Sequence, residues 1–379
     1  MAKIPLVKPD LPALDGIEGS FREILENGRI TNFGKYVAQF EKETADFIGA
    51  HTVTVSSGTL ALIFTLQALG LKSGQKVVVP SFTFLATAQA ILYAGGVPLF
   101  ADVGEDFTIS IPDLEALLRQ HRDVGAVLPV HTYGLICQAD QIQRIVDRAS
   151  RAQGSPIPVL YDAAHAFGAE RGGVRAGRFG SAEAFSLSVT KVLTTVEGGL
   201  VSSSDPGLIE RIRRMRNYGM ESFSYNATLP GLNGKMSEFH AIVGLENLRL
   251  LEGRLQQRAE RARYYIQQIE AKTPFRVMPV PEGVRHTFKD FTVLAPKELG
   301  AGRDRIQVFL KERGVESRAY FSPPVHRQEY FSRFADRSLP MTEEVARRVI
   351  TLPFFTGITK EEMDCVVGAL CGACEGVRA

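Results

Sequence analysis

Two side chains of opposite charge, Asp162 and Lys191, follow short apolar runs of the sequence. Residues 158–161 form the run before the aspartate, and residues 182–187 form the run that ends just before the lysine. Both runs are typical of buried strands, and open parallel sheets gather their chemistry at the carboxyl ends of strands. A carboxylate that keeps a pyridine ring protonated, beside an amine that can form a Schiff base, is what pyridoxal phosphate (PLP) requires. Taken singly, a capping aspartate and a solvated lysine are the commoner interpretations.

The composition and charge of the chain disfavour several classes of protein. Its 379 residues are 45% hydrophobic and 23% charged, as in ordinary globular proteins, and the length suggests two domains. A formal net charge of +2 gives no reason to expect a nucleic acid or an anionic membrane as partner. No apolar stretch approaches the length of a membrane span, and Lys and Pro interrupt the first residues before a signal-peptide core forms. We therefore expect a cytoplasmic protein.

The four cysteines do not form a disulfide framework in a chain of this length. Cys365, Cys371 and Cys374 cluster near the C-terminus, but without a partnered His or Cys pair their spacing is a weak signal for zinc. We expect reduced thiols and no metal site.

Short apolar runs alternate with helical patterns from residue 51 onward. Strands are predicted over 51–55, 76–80, 98–103, 126–130, 158–161, 182–187 and 200–203. Helices are predicted over 59–69, 84–93, 112–120, 138–152 and 206–218. Short strands that are apolar on both faces and separated by helices indicate a mostly parallel sheet covered on both sides. The aspartate and the lysine would then stand at the ends of two of its strands.

Two helical patterns, at 17–25 and 37–47, precede the sheet, and a long one at 236–269 follows an irregular stretch at 221–235. The loop at 28–35 resembles a P-loop only superficially, because its glycine spacing and its final residues do not match. Beyond residue 270 we predict a strand at 290–294 and helices at 304–313, 342–349 and 360–371. Residues 1–250 are thus predicted to form an N-terminal segment and a large α/β domain, and residues 251–379 a linking helix and a small C-terminal α+β domain.

The first predicted strand-to-helix turn contains Ser57, Gly58 and Thr59. Free N–H groups and the positive dipole end at a helix N-terminus favour phosphate, and glycine lets the backbone approach it closely. The alternative is a plain N-cap formed by Ser57. The glycine fingerprint of dinucleotide-binding folds occurs nowhere in the chain, which disfavours a dinucleotide.

Further candidate side chains follow other predicted strands. Phe82 and Phe84 follow the second strand, where an aromatic ring could stack on a planar cofactor. Either could instead belong to the core, Phe82 more so than Phe84. His165 lies one turn beyond the aspartate and could reach the phenolic edge of the ring, and Ser186 precedes the lysine and could contact phosphate. A phosphate turn, an aromatic, an acid and a lysine therefore occur in the order found in PLP enzymes of the aspartate-aminotransferase fold.

On these motifs the chain resembles the DegT/DnrJ/EryC1/StrS family of sugar aminotransferases. The central motifs are S-G-T-L-A-L, P-S-F-T-F-L-A-T-A, D-A-A-H-A-F-G-A, F-S-L-S-V-T-K and E-G-G-L-V-S. G-R-I-T-N-F-G-K lies upstream, and L-N-G-K-M-S-E-F-H-A and E-S-R-A-Y-F-S-P-P-V-H lie downstream. They occur in the family's order and cover nearly the whole chain. The resemblance implies an aspartate-aminotransferase-like (fold type I) homodimer that binds PLP, with two active sites at the subunit interface.

The resemblance also implies roles for individual residues. Lys191 matches the lysine that forms the Schiff base, and Asp162 matches the partner of the pyridine nitrogen. His165 matches the position beside the ring, and Phe84 matches the stacking aromatic. The positions that bind phosphate are matched by Ser57, Gly58, Thr59 and Ser186 and, reaching in from the other subunit, Asn233.

Two residues that follow Asn233 depart from the family's pattern. Gly234 stands where many members carry an aromatic residue, so the resemblance does not extend to substrate packing at this position. Lys235 stands where arginine is common, which disfavours bidentate binding of a carboxylate there.

The implied activity is that of a PLP-dependent aminotransferase. It would convert a keto-sugar nucleotide to an amino-sugar nucleotide in glycan or natural-product sugar biosynthesis, with L-glutamate as the amino donor. A sugar dehydratase of the same fold is disfavoured, since those relatives replace the lysine with histidine, whereas Lys191 is present. A cyclitol ketone is an alternative acceptor. A sensor that binds PLP or a sugar nucleotide without turnover is disfavoured by the complete set of chemical residues.

Overall fold

One large sheet lies at the centre of the computed structural model, which describes residues 4–221 and 224–378. Parallel bridges from Val127 to Val159 and from Val130 to Asp162 join its four-stranded and three-stranded portions. The strands of this part of the chain are β1 (His51–Val55), β2 (Lys76–Pro80), β3 (Val97–Ala101), β4 (Val124–Val127), β5 (Leu160–Asp162), β6 (Glu170–Arg171), β7 (Val174–Arg175), β8 (Ala182–Ser186) and β9 (Gly199–Ser203).

The strand order across the large sheet is β3-β2-β4-β5-β8-β9-β1. Strand β9 runs antiparallel to both of its neighbours, whereas the pairs β2–β3, β2–β4 and β5–β8 are parallel. The predicted mostly parallel α/β sheet is therefore confirmed. Because β5 and β8 are adjacent and parallel, Asp162 and the segment that leads to Lys191 leave the sheet at the same edge.

Helices cover both faces of the sheet because its central strands are apolar on both. In β2, the side chains of Val77 and Val79 pack into one hydrophobic cluster and that of Val78 packs into another. The helices are α1 (Leu14–Asn27), α2 (Lys35–Ile48), α3 (Gly58–Ala68), α4 (Leu85–Tyr93), α5 (Ile111–Gln120), α6 (Ala139–Gln153) and α7 (Pro206–Met215). The first cluster contains residues of α3, α4 and α7, and the second contains residues of α5 and α6.

A single helix of 35 residues, α8 (Glu238–Lys272), connects the two parts of the chain. Leu251 and Leu255 still pack into the core of the large part, whereas Tyr265 and Ile269 pack into that of the C-terminal part. The predicted division between residues 250 and 251 falls inside this helix, and it remains a prediction. Of the irregular stretch predicted at 221–235, residues 222 and 223 lie outside the described residues.

The C-terminal part combines an antiparallel sheet with helices. Its helices and one strand begin close to the predicted positions, whereas three of its strands were not predicted. Its strands are β10 (Arg276–Val277), β11 (Val284–Arg285), β12 (Phe291–Leu294) and β13 (Val349–Leu352), and its helices are α9 (Arg303–Glu312), α10 (Pro340–Arg348) and α11 (Lys360–Arg378). Strands β10, β12 and β13 form one sheet, and β11 pairs with β6. Across the described residues, no helix combines the length and apolar character needed to cross a bilayer.

The first described residues of the chain pack against its C-terminal part, more than 300 positions away in the sequence. Ile4 forms a parallel bridge with Val315, and the backbone N–H of Phe354 donates to the carbonyl of Leu6 at 3.1 Å. The side chains of Leu6 and Val7 reach a cavity between this segment and the large sheet.

Candidate active site

A cavity of about 340 Å³ opens at the carboxyl ends of β5 and β8. Its walls come from the large sheet, from the C-terminal part, through Tyr320, Phe321 and Phe354, and from the N-terminal residues. Eight of the nine site residues that the sequence indicates line it: Ser57, Gly58, Thr59, Phe84, Asp162, His165, Ser186 and Lys191.

The turn at the N-terminus of α3 is built for close contact with β8. The Ser57 hydroxyl accepts a hydrogen bond from the backbone N–H of Leu60 at 3.2 Å, so that the serine is an N-cap as well as a cavity residue. A Cβ atom at Gly58 would lie 2.7 Å from the Cβ of Ser186, so only glycine fits. The first N–H groups of a helix have no acceptor within it, and those of α3 begin at this cavity wall.

Asp162 is 6% exposed at the end of β5, and its two oxygens are held in fixed positions. The Thr87 hydroxyl donates to Oδ2 at 2.8 Å, and the backbone N–H of Ala164 donates to Oδ1 at 3.1 Å. Burial raises the pKa of the Asp162 carboxyl, and these two hydrogen bonds act in the opposite direction. The carboxylate is thus oriented but poorly solvated, and a cationic partner would stabilise its charge.

Lys191 follows β8, and its amine shares the cavity with Asp162. Burial lowers the pKa of Lys191 to about 8; the positive charge of Lys289 adds to this shift, and the negative charges of Asp290 and Asp162 oppose it. An amine with this pKa is partly neutral near physiological pH, which makes it a competent nucleophile and base.

His165 presents an unpaired nitrogen to the same site. Its Nδ1 is buried and has no hydrogen-bond partner among the described residues. Burial, followed by the charges of Lys191 and Lys289, holds the pKa of His165 well below its usual value, so the ring is neutral. A buried nitrogen without a partner is costly, and a polar atom of a ligand would satisfy it.

The two phenylalanines after β2 differ in their environments. Phe82 is 0% exposed and packs against Phe107, Tyr133 and Phe321, so it belongs to the core. Phe84 is 55% exposed at the N-cap position of α4, and its ring lines the cavity. An exposed ring at a cavity wall can stack on a planar ligand.

Asn233 lies apart from these residues. It is exposed, it forms an antiparallel bridge with Asn217, and it does not line the cavity of its own chain. Its proposed contact with the other subunit's phosphate remains a prediction.

The structure adds site residues that the sequence did not indicate. Thr87 holds Asp162, and its position in the first turn of α4 could have drawn attention to it. Lys289 and Asp290 also line the cavity. They lie nearly a hundred residues after Lys191, outside the sequence motifs that indicated the site. No local pattern could have placed them in the site.

These residues fit PLP by their own chemistry. Because Gly58 lies close to Ser186, the N-terminus of α3 reaches the cavity, and its free N–H groups suit a phosphate. The oriented carboxylate of Asp162 suits a pyridinium nitrogen. The unpaired His165 nitrogen requires a polar partner, and the Lys191 amine can bond to an aldehyde.

Comparison with known proteins gives the same assignment over most of the chain. Residues 15–371 match the DegT/DnrJ/EryC1/StrS aminotransferase family. A GDP-perosamine synthase of Caulobacter vibrioides is 31% identical, over 98% of this chain and 99% of that protein. A UDP-N-acetyl-3-dehydro-alpha-D-glucosamine 3-aminotransferase of Acidithiobacillus ferrooxidans is 32% identical, over 93% of this chain and 92% of that protein. The solved structure of DesI with its TDP-sugar product superposes with a TM-score of 0.91 at 29% identity, covering 100% of this chain and 95% of that one.

Proposed function

The chain belongs to the DegT/DnrJ/EryC1/StrS aminotransferase family, and on that premise we propose that it uses PLP to convert a keto-sugar nucleotide into an amino-sugar nucleotide. L-glutamate is the proposed amino donor, and a cytoplasmic homodimer with active sites at the subunit interface is the proposed form. The names of the relatives support a nucleotide-linked sugar, since they specify GDP, UDP and TDP sugars. The observation that carries the proposal is the pairing of Asp162 with Lys191 in one cavity at the ends of adjacent parallel strands.

PLP, when bound, supplies an aldehyde that bonds covalently to amines and a ring that withdraws electrons from the adjacent carbon. The proposed role of Asp162 is to keep a proton on the ring nitrogen, and this role requires its carboxylate to stay charged. Its hydrogen bonds from Thr87 and Ala164 keep both oxygens oriented for this. The N-terminus of α3, with Ser57 and Thr59, and the nearby Ser186 are proposed to hold the phosphate.

Lys191 has two proposed parts, which its lowered pKa permits. Its neutral amine would bond to the aldehyde of the cofactor, and the same group, when free, would serve as the acid and base that moves a proton at the substrate carbon. His165 is the proposed neutral donor or acceptor beside the ring, and Phe84, whose ring centre lies 6.4 Å from that of Phe321 at the cavity wall, is the proposed stacking aromatic.

The proposed function is tested by incubating the purified protein, PLP and L-glutamate with a panel of keto-sugar nucleotides that differ in base, sugar and keto position. Mass spectrometry should show an amino-sugar nucleotide for at least one member of the panel. A cyclitol ketone belongs in the same panel as the alternative acceptor. Amination of the cyclitol alone, or conversion of a sugar without gain of nitrogen, would contradict the proposal.

A further inference from the structure

A buried ion pair of the C-terminal part faces the active-site cavity. The Lys289 ammonium donates to Oδ1 of Asp290 at 2.7 Å, and the two side chains are 8% and 7% exposed. They are the two residues just before β12. The backbone N–H of Lys289 donates a hydrogen bond to the carbonyl of Tyr133 at 3.0 Å. The Lys289 ammonium also lies 5.9 Å from the centre of the Tyr320 ring, another cavity residue. The position of the amine is therefore well defined.

A pair of this kind is costly unless its polar atoms are used. Desolvation of two charges often offsets their mutual attraction, so a buried ion pair is weak evidence for a stabilising role. An ammonium group has three N–H donors, and Asp290 is the one side chain among the described residues that accepts from Lys289. The remaining donors have room for a ligand because the residue lines the cavity.

Two cationic side chains line the cavity within the described part of the chain, Lys191 and Lys289. Lys191 is reserved for the cofactor in the proposed function, which leaves Lys289 as the cation of the same chain that can meet a negatively charged substrate group. The charge of Lys289 influences both Lys191 and His165, so its ammonium lies near the atoms that react. The amino donor always brings a carboxylate to this place, and a carboxylate entering a poorly solvated cavity needs a cationic partner.

We propose that Lys289, held in place by Asp290, binds a carboxylate of the amino donor. This inference rests on the proposed aminotransferase function, and it assigns donor recognition to the C-terminal part of the same chain. Lys289 lines the cavity of its own chain, whereas Lys235, two residues after Asn233, does not and could approach the site only from the other subunit.

The test is equilibrium binding of glutarate, an unreactive dicarboxylate, to the PLP-loaded protein by titration calorimetry. Lys289→Met should weaken glutarate binding about tenfold or more, the effect of losing one charged hydrogen bond. Lys289→Arg should retain a large part of the affinity. Lys297→Met, the same change at an exposed lysine outside the cavity, should leave the affinity unchanged.

A double variant separates lost attraction from repulsion by an unpaired aspartate. Lys289→Met combined with Asp290→Asn leaves a neutral pair, and it should bind glutarate as weakly as Lys289→Met alone. Recovery of wild-type affinity in this variant would show that Asp290 repels the ligand and that Lys289 does not bind it, which overturns the proposal. The double variant also keeps the test usable should the single variant fold poorly.

The remaining outcomes are equally decisive. Wild-type protein that holds PLP but does not bind glutarate overturns the proposal, and so does unchanged affinity in Lys289→Met. In turnover, Lys289→Met should raise the KM for L-glutamate about tenfold while leaving the KM for the keto-sugar nucleotide unchanged; the opposite split would assign Lys289 to the sugar and overturn the assignment to the donor. Glutarate binding can be read whether or not any keto-sugar is aminated, so failure of the proposed function is distinguishable from failure of this inference.

Discussion

At the scale of residues, burial acts in opposite directions on Asp162 and Lys191. It raises the pKa of the carboxyl group and lowers the pKa of the amine, so each charge is disfavoured where water is scarce. Thr87 and the backbone N–H of Ala164 preserve the carboxylate through hydrogen bonds. No such bond to a described residue holds the amine of Lys191. The aspartate is thereby suited to a constant charge and the lysine to a changing one.

The lowered pKa of Lys191 predicts how cofactor-free protein takes up PLP at different pH values. The neutral amine is the reactive form, and its fraction rises with pH through the pKa of about 8. The rate of covalent uptake, followed by absorbance, should therefore increase up to about this pH and level off above it. The rate constant of PLP with free Nα-acetyl-lysine, divided by the neutral fraction of that amine at each pH, gives the titration of PLP alone, and the protein's rates are divided by this reference. A midpoint near the ordinary lysine value would contradict the burial of this amine.

The proposed role of Asp162 predicts that Asp162→Asn loses activity without losing a matching amount of cofactor. The amide keeps the size of the side chain and a carbonyl oxygen, so the protein should fold and retain PLP. It cannot hold a proton on the ring nitrogen, and turnover should fall by about two to three orders of magnitude. PLP content and steady-state rate are measured on the same preparation. Turnover close to that of wild-type protein would identify another residue as the partner of the nitrogen.

At the scale of elements, the site depends on how α3 meets β8. The N-terminus of α3 approaches the end of β8 so closely that the Cα of Ser186 would lie 2.9 Å from a Cβ at Gly58. The antiparallel pair β8–β9 then brings Gly199 opposite Ser186 and returns the chain to the sheet. A small shift of α3 would move the helix N-terminus away from the cavity.

Gly58→Ala should therefore impair both stability and PLP retention. The added methyl group meets backbone and Cβ atoms that cannot move independently, and overpacking of this kind costs about 1–3 kcal/mol. Thermal unfolding and a PLP titration provide the two measurements. Gly253→Ala is the matched control, because a Cβ there meets nothing within 4 Å in the middle of α8, and it should stabilise the protein by about 0.5–1 kcal/mol. Equal effects of the two variants would contradict the proposed role of the α3–β8 contact.

The elements of the large part could be predicted from the sequence to within a few residues, and those of the C-terminal part less completely. Strand β2 is predictable because its valines are apolar on both faces, and α3 because it follows a capping serine. Strand β13 was missed: residues 342–349 were predicted as one helix, but the helix ends at Arg348 and the chain then pairs with β12. The two-residue strands β6, β7, β10 and β11 carry no periodicity of their own, since they exist only through distant partners.

The candidate site shows the same division. Asp162, Lys191 and the turn at Gly58 were recognisable because each lies at the end of an apolar strand or within five residues of it. Lys289 was not recognisable, because its place in the cavity depends on how the C-terminal part packs against the large sheet. Packing between segments that are distant in the sequence cannot be read from the local spacing of residue types.

At the scale of the whole molecule, exposed apolar and aromatic side chains occur close to Asn233, and two of them, Phe33 and Tyr225, line one groove. Asn233 is exposed, and exposed apolar or aromatic side chains lie near it in the sequence, with Leu232 at 54% and Tyr225 at 100% exposure. Phe33, in the loop before α2, is 42% exposed and stacks on Arg216. Apolar side chains grouped on a surface favour association. We therefore maintain the proposal that Asn233 completes the phosphate site of a second subunit.

Subunit mixing tests this placement. Asn233→Ala should weaken PLP binding about tenfold or more, and Lys191→Ala should abolish turnover. When the two variants are mixed at low PLP, heterodimers contain one site with both Lys191 and the partner's intact asparagine, so activity should reappear. Adding Ser186→Ala to the Asn233→Ala chain impairs that one site, and little activity should return. Absence of selective rescue in dimers shown to have exchanged subunits would place Asn233 outside the partner's site.

The central claim is that the protein transfers an amino group from glutamate to a nucleotide-linked sugar and that Lys191 is essential for this catalysis. The most direct measurement supplies ¹⁵N-labelled L-glutamate and a keto-sugar nucleotide to the PLP-loaded protein and records the mass of the product. Wild-type protein should yield an amino-sugar nucleotide that contains the heavy nitrogen, and folded Lys191→Ala protein should yield none above trace. A labelled product from Lys191→Ala at a comparable rate, or a wild-type product that lacks the label, would contradict the account.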